Sequence, residues 1–166
     1  MAQVYVGVGS NIDKHLHIPK VLKELKQQFG KLDISPLYQS PAVGFEGEDF
    51  YNLVVGLNTQ MTPHQLHKAL RQVEANHQRV RVGENQFISR TLDLDPLLFD
   101  DLQIKDDLVE IPNPDILRYA FVLKPLADIA DDVIHPDLHK SIHQLWKEFD
   151  KSTLKMTVVN DLNLHE

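Results

Sequence analysis

The chain predicts an α+β fold: a ferredoxin-like antiparallel sheet covered by helices, with an additional C-terminal helix and strand. Three observations support this. Apolar residues alternate along stretches such as Val4, Val6 and Val8, the period of a strand. Between the strands lie stripes of helical period, first Ile18, Val21, Leu22, Leu25 and Phe29, then Leu66, Ala69, Leu70 and Val73. The resulting order is strand, helix, two adjacent strands, helix, strand, which is that of the ferredoxin-like unit. At 166 residues the chain suits one domain over residues 1–166.

The first strand ends in the turn-rich run Gly7, Gly9, Ser10 and Asn11, whose glycine spacing does not match a dinucleotide-binding fingerprint. Gly30 is placed to stop the first helix. Residues 32–39 read as a second strand and residues 40–49 as a loop of turn formers. In the third strand Phe50, Asn52 and Val54 share one face while Tyr51, Leu53, Val55 and Leu57 share the other, so Asn52 is the odd polar residue. Thr62, Pro63 and Gln65 form a cap, first-turn proline and capping-box partner for the second helix, with Glu74 at the edge of its apolar stripe. Residues 77–91 are polar and aperiodic, a long loop leading into the strand of SRTLDLDPLLFDD. Pro112 and Pro114 precede a helix through Ile116, Ala120, Phe121, Leu123 and Leu126, interrupted by Pro125. A last helix uses Leu138, Ile142, Leu145, Trp146 and Phe149, and a strand follows at Leu154, Met156 and Val158.

Charge and composition narrow the function classes. Seventeen Lys and Arg against 24 Asp and Glu give a net charge of −7, which argues against nucleic acid and anionic membrane as partners. There is no cysteine, hence neither disulfide nor thiolate metal site. No apolar run reaches the ~20 residues of a membrane span, and the first residues lack the charged flank of a signal peptide, so a soluble cytoplasmic protein is expected. His139 and His143 have the i, i+4 spacing of half a zinc site on a helix, but no partner pattern accompanies them and they read as a surface pair. The acidic run at residues 100–107 reads as a solvated turn, and no serine or histidine arrangement suggests acyl transfer.

The chemistry concentrates at Asp93 and Asp95. Two positions apart on a strand, they point to the same side with α-carbons about 7 Å apart. Leu92 and Leu94 interleave with them, which places the carboxylates on an otherwise buried strand, where acids require cations. Such a pair can hold divalent metal, and two metals are the usual device for an in-line displacement at phosphorus. Four of the five arginines, Arg71, Arg79, Arg81 and Arg90, lie just upstream. Their planar forks match phosphate oxygens, so a polyphosphate beside the metal is indicated.

Several separate segments resemble the 6-hydroxymethyl-7,8-dihydropterin pyrophosphokinase family: VGVGSN at 6–11, DFYN at 49–52, RVR at 79–81, RTLDLD at 90–95 and AFVLKPLADI at 120–129. They span nearly the whole chain in the family's order, and RTLDLD followed by an apolar triplet is the most specific of them. The resemblance implies transfer of the terminal diphosphate of ATP to a pterin alcohol, with two Mg²⁺ ions held by Asp93 and Asp95 and with ATP as co-substrate. It implies a pterin pocket of Phe50, Asn52 and Phe121 with Val43 and Gly44 of the preceding loop. On the nucleotide side it implies Glu74, Arg79, Arg81, Phe87, Arg90, Asn113 and Arg118, with Asp93, Asp95, Arg79 and Arg90 as the catalytic set. Small-molecule substrates and a monomer are expected. Two positions depart from the family pattern: Asn113 stands where histidine is usual, and Tyr119 where arginine is usual, with Arg118 shifted by one. The departures leave open a silent paralogue that binds nucleotide or pterin without turnover, and the acidic pair on a ferredoxin-like sheet leaves open a two-metal nucleotide cyclase or polymerase-palm domain.

Overall fold

The computed structural model describes residues 1–41, 49–77, 92–152 and 154–160. In chain order the elements are β1 (Ala2–Ser10), α1 (Lys14–Phe29), β2 (Asp33–Ile34), β3 (Leu37–Ser40), β4 (Phe50–Thr59), α2 (Pro63–Asn76), β5 (Asp93–Phe99), β6 (Ile104–Lys105), β7 (Glu110–Ile111), α3 (Asp115–Arg118), α4 (Ala120–Ala130), α5 (Ile142–Glu148) and β8 (Thr157–Val159). The main sheet runs β5-β1-β4-β3-β8 with β2 also on β4, and every pairing is antiparallel. Its first four strands have the order of the expected ferredoxin-like unit, to which β8 is added at the outer edge of β3.

Period-2 alternation on the central strands produces two apolar faces because both are covered. Val4, Val6 and Val8 of β1 join Leu53, Val55 and Leu57 of β4 beneath Ile18, Val21, Leu22 and Leu25 of α1 and Leu66, Leu70 and Val73 of α2. The opposite face presents Tyr5, Val54 and Leu97 to Ile116, Leu123 and Leu126 of α3 and α4 and to Ile142 and Leu145 of α5. The capping box at Thr62 and Gln65 forms as the sequence predicts, with Gln65 N–H donating to Thr62 Oγ1 and Thr62 N–H to Gln65 Oε1. Pro96 is tolerated because β5 is the edge strand; a register shift lies between Tyr5 and Val6 where Pro96 enters the ladder.

Five expectations change. The strand expected over 32–39 is two, because Ser35 and Pro36 break it: Ser35 turns both its N–H and its Oγ to Val54, and the register on β4 slips by one residue. The interruption expected at Pro125 falls earlier, at Tyr119, whose extended backbone (φ −127°, ψ 126°) separates α3 from α4, while Pro125 lies within α4. The last helix begins at Ile142 under a Ser141 cap rather than at Leu138, which is exposed; His139 is left-handed (φ 57°), so His139 and His143 do not share a helix. The final strand likewise omits Leu154 and Met156 and keeps only Val158 of the three expected residues. The acidic 100–107 run is partly ordered as the hairpin β6–β7, and Asp106 accepts the N–H groups of Leu108 and Val109 at 2.9 Å each. Those backbone donors hold its carboxyl down at about 2.

Candidate active site

Register assembles the site. Gly9 of β1 is opposite both Asn52 of β4 and Asp93 of β5, and Tyr38 of β3 is opposite Asn52. Opposed residues project on the same face, so Asp93, Gly9, Asn52 and Tyr38 form one row across four strands, each step about 4.8 Å. Asp95, Gly7 and Val54 form the next row on that face. The glycines leave a trough between the carboxylates on one side and the amide on the other. A Cβ at Gly9 would stand 2.9 Å from Asn52 Oδ1, so the Asn52 side chain occupies the space that the missing side chain frees.

The carboxylates sit at the rim of the buried strand. Leu92 and Leu94 are fully buried, as the interleaved pattern requires, while the Asp95 side chain keeps 34% of its surface exposed. Burial raises the Asp95 carboxyl well above the usual carboxylate range, and the neighbouring Asp93 raises it further by its charge and hydrogen bond. Glu74 pushes in the same direction and Arg71 opposes. Both come from α2, three residues apart and so on one helix face. Arg71 Nη1 donates to Glu74 Oε1 (2.9 Å) and to the Leu94 carbonyl (2.9 Å), and its Nη2 reaches Asp95 Oδ1 at 3.4 Å. Glu74, 2% exposed, accepts the Leu94 N–H through Oε2 at 2.7 Å. These two side chains therefore satisfy the outward N–H and carbonyl of Leu94 on β5, the edge strand of the sheet among the described residues.

A hard divalent cation fits these donors. Two carboxylates project to one side, and the proton affinity that burial and then the neighbouring negative charge raise would be relieved by a cation. Among the described residues no group of three or more His, Cys, Asp or Glu is arranged to hold a metal. The pair would supply two oxygen ligands and leave room for further oxygen donors, the manner in which Mg²⁺ is commonly bound.

The aromatic side lies at the α3–α4 break. Tyr119 and Phe121 stack with centroids 4.9 Å apart and planes at 15°. They line a cleft of about 890 Å³ together with Ser40, Pro41, Phe149 and Met156; the carboxylates and Asn52 do not line it. Arg118 is exposed, its guanidinium 3.9 Å from Asp115. Asn113 commits its amide to the backbone: Nδ2 donates to the Pro96 carbonyl at 3.3 Å and Oδ1 accepts the Asp115 N–H at 2.9 Å, tying β5 to the start of α3. Tyr38 donates its phenol to Asp128 of α4, which Lys124 also engages, and burial followed by that carboxylate raises the phenol well above its usual range. The link pins α4 to the row that holds Asn52.

Of the residues expected from sequence, Asp93, Asp95, Phe50, Asn52, Glu74, Asn113, Arg118 and Phe121 are described, and Val43, Gly44, Arg79, Arg81, Phe87 and Arg90 lie outside the described residues. Asp93 and Asn52 come together through Gly9, and Asp95 comes together with Glu74 through Arg71. Two participants were missed. Arg71 stood out as one of the clustered arginines without a role, although its i, i+3 spacing to Glu74 was readable. Tyr38 carried no signal, because only strand register sets it beside Asn52.

Comparison with known proteins is consistent with this geometry. Residues 5–131 match the family described as 7,8-dihydro-6-hydroxymethylpterin-pyrophosphokinase. The chain is 34% identical over 160 residues to the 2-amino-4-hydroxy-6-hydroxymethyldihydropteridine pyrophosphokinase of Aquifex aeolicus, covering 93% of this chain and 95% of that one. It is 35% identical over 164 residues to the folic acid synthesis protein FOL1 of Dictyostelium discoideum, of which it spans 23%. Among solved structures, wild-type Plasmodium falciparum HPPK-DHPS with pteroate superposes with a TM-score of 0.69 over 89% of this chain and 42% of that chain, at 13% identity.

Proposed function

The chain belongs to the 7,8-dihydro-6-hydroxymethylpterin-pyrophosphokinase family, and from that premise we infer that it transfers the terminal diphosphate of ATP to 6-hydroxymethyl-7,8-dihydropterin in folate synthesis. The hydroxymethyl oxygen attacks the β-phosphorus. The bond from that phosphorus to the α–β bridging oxygen breaks, AMP leaves with the electron pair, and the alcohol gives up its proton.

Asp93 and Asp95 would hold Mg²⁺ beside the triphosphate. When bound, Mg²⁺, two ions in this reading, neutralises phosphate charge and aligns the attacking and leaving oxygens. The observation that carries the reading is the register at Gly9, which sets the Asp93 carboxylate and the Asn52 amide two strands apart, about 10 Å, with a glycine on the strand between them. Asn52 donates to and accepts from the edge of the pterin, and the rings of Phe50 and Phe121 stack on it, with Val43 and Gly44 beside them. Arg79, Arg81, Arg90 and Arg118 meet the phosphates, Phe87 and Glu74 border the nucleotide, and Asn113 holds β5 in place beside it. The chain acts as a cytoplasmic monomer; no helix among the described residues is long and apolar enough to cross a membrane.

Incubation with Mg-ATP and the pterin alcohol tests this. AMP formed only when pterin is present supports the reading. Pyrophosphate release would point to a cyclase, and tight binding of both substrates without AMP to a silent paralogue.

A further inference from the structure

The proposed chemistry leaves one charged side chain unassigned in the middle of the site. Arg71 is part-buried, with 28% of its side chain exposed, and its guanidinium bridges Glu74 Oε1, the Leu94 carbonyl and Asp95 Oδ1. Two carboxylates, Asp95 and the buried Glu74, therefore meet at one fixed cation, with Asp93 beside Asp95. Two of the contacts, at 2.9 Å, are short and anchor the guanidinium to α2 and the edge of β5. The third, 3.4 Å to Asp95, is long, the geometry of a charge held beside a carboxylate that remains free to take another partner.

We propose that Arg71 is a resident counter-cation for the carboxylate pair: it compensates Asp95 and Glu74 in the nucleotide-free protein, so that a divalent cation enters with the polyphosphate rather than alone. The inference rests on the reading of Asp93 and Asp95 as metal ligands. Physically, a bare divalent ion approaching the pair meets two carboxylate charges already partly offset, and a positive charge a few Å from its seat. A triphosphate reverses the balance, since its negative charge is attracted by both the guanidinium and the metal. Metal and nucleotide binding are thereby coupled through one side chain. Arg71 is a positioning residue in this scheme, acting on Asp95 without contact to reacting atoms.

Mn²⁺ titration, read by electron paramagnetic resonance and calorimetry on the whole chain, tests the proposal without reference to turnover. Wild-type protein should bind Mn²⁺ weakly alone and much more tightly with a non-hydrolysable ATP analogue. Arg71→Gln should bind Mn²⁺ alone about tenfold or more tightly than wild type, with less further tightening by the analogue. Arg71→Lys, which keeps the charge, should stay within about threefold of wild type; a role confined to tying α2 to β5 would give Gln and Lys the same metal affinity. Tight Mn²⁺ binding to nucleotide-free wild type overturns the proposal even if Arg71→Gln does not fold, as does equal affinity in the two variants. Loss of Mn²⁺ binding in Asp95→Asn with no change in Arg71→Gln refutes only the counter-cation, whereas undiminished binding in Asp95→Asn, with and without the ATP analogue, refutes the metal assignment beneath it.

Discussion

Gly9→Ala separates the integrity of the fold from the integrity of the site. The backbone at Gly9 is outside the left-handed region, so alanine meets no backbone strain there. By removing conformational freedom from the unfolded chain, the change on its own stabilises by about 0.4–1 kcal/mol. The new Cβ, however, would stand 2.9 Å from Asn52 Oδ1, closer than such contacts allow, and the atom it displaces is the end of a side chain rather than backbone. Asn52 therefore rotates and the sheet survives. If the amide makes two neutral hydrogen bonds to the pterin, losing both costs about 1–3 kcal/mol, or roughly 5- to 150-fold in affinity. Calorimetric titration with the pterin alcohol, beside thermal melting and titration with an ATP analogue, should give weakened pterin binding, a melting temperature within a few degrees of wild type, and unchanged nucleotide affinity. Unchanged pterin affinity in a folded Gly9→Ala protein would refute the placement of the pterin over Gly9.

Asp93→Asn and Asp95→Asn should each abolish AMP formation while leaving the melting temperature intact or raised, since each removes one of two crowded negative charges; retained turnover in either rejects the metal assignment. Glu74→Gln directs an amide NH₂ at the Leu94 N–H or at Arg71, both donors, and should cost about 1–3 kcal/mol, seen as a fall of several degrees in melting temperature; no fall would mean that the edge of β5 is held otherwise. Two buried histidines make stability depend on pH. Burial lowers His17, with His77 Nδ1 2.6 Å from its own Nδ1 adding to the effect, and burial lowers His135, whose Nδ1 accepts the N–H groups of Asp137 and Leu138. Both folded-state values lie below the unfolded one, so the stability they contribute is fully present above about pH 6.5 and is lost as pH falls through the lowered values. Melting curves from pH 7.5 to 5 should show that loss, and Gln at either position should flatten it; an unchanged slope in both variants would exclude them as its source.

The parts of the site legible in the sequence are those with local periodicity. Two carboxylates at i, i+2 on a strand share a face whatever the strand pairs with, and the capping box at Thr62 and Gln65 is closed within four residues. The odd amide at Asn52 was readable for the same reason. The errors fall where local rules compete. Pro125 is a strong helix breaker by rule, yet α4 carries it inside while the chain breaks at Tyr119, and the strand at 32–39 is split where Ser35 hydrogen-bonds β4 and Pro36 offers no N–H. Asn113 looked like a lost phosphate ligand; folded, its amide is a brace between Pro96 and Asp115.

What the amino-acid sequence by itself determined is the list of elements, the faces they bury and the residue types that chemistry at phosphorus requires, because each follows from a period of two or of 3.6 along the chain. What only the tertiary structure decided is which of those residues meet. Gly9 lies between Asn52 and Asp93 because β1 is sandwiched between β4 and β5 in one particular register; Arg71 reaches Asp95 because α2 runs along the uncovered edge of β5; and His17 touches His77 because α1 and α2 share a face of the sheet. Strand register and helix docking are set by the packing of whole apolar faces, a sum over residues distant in sequence, and no local pattern carries that sum.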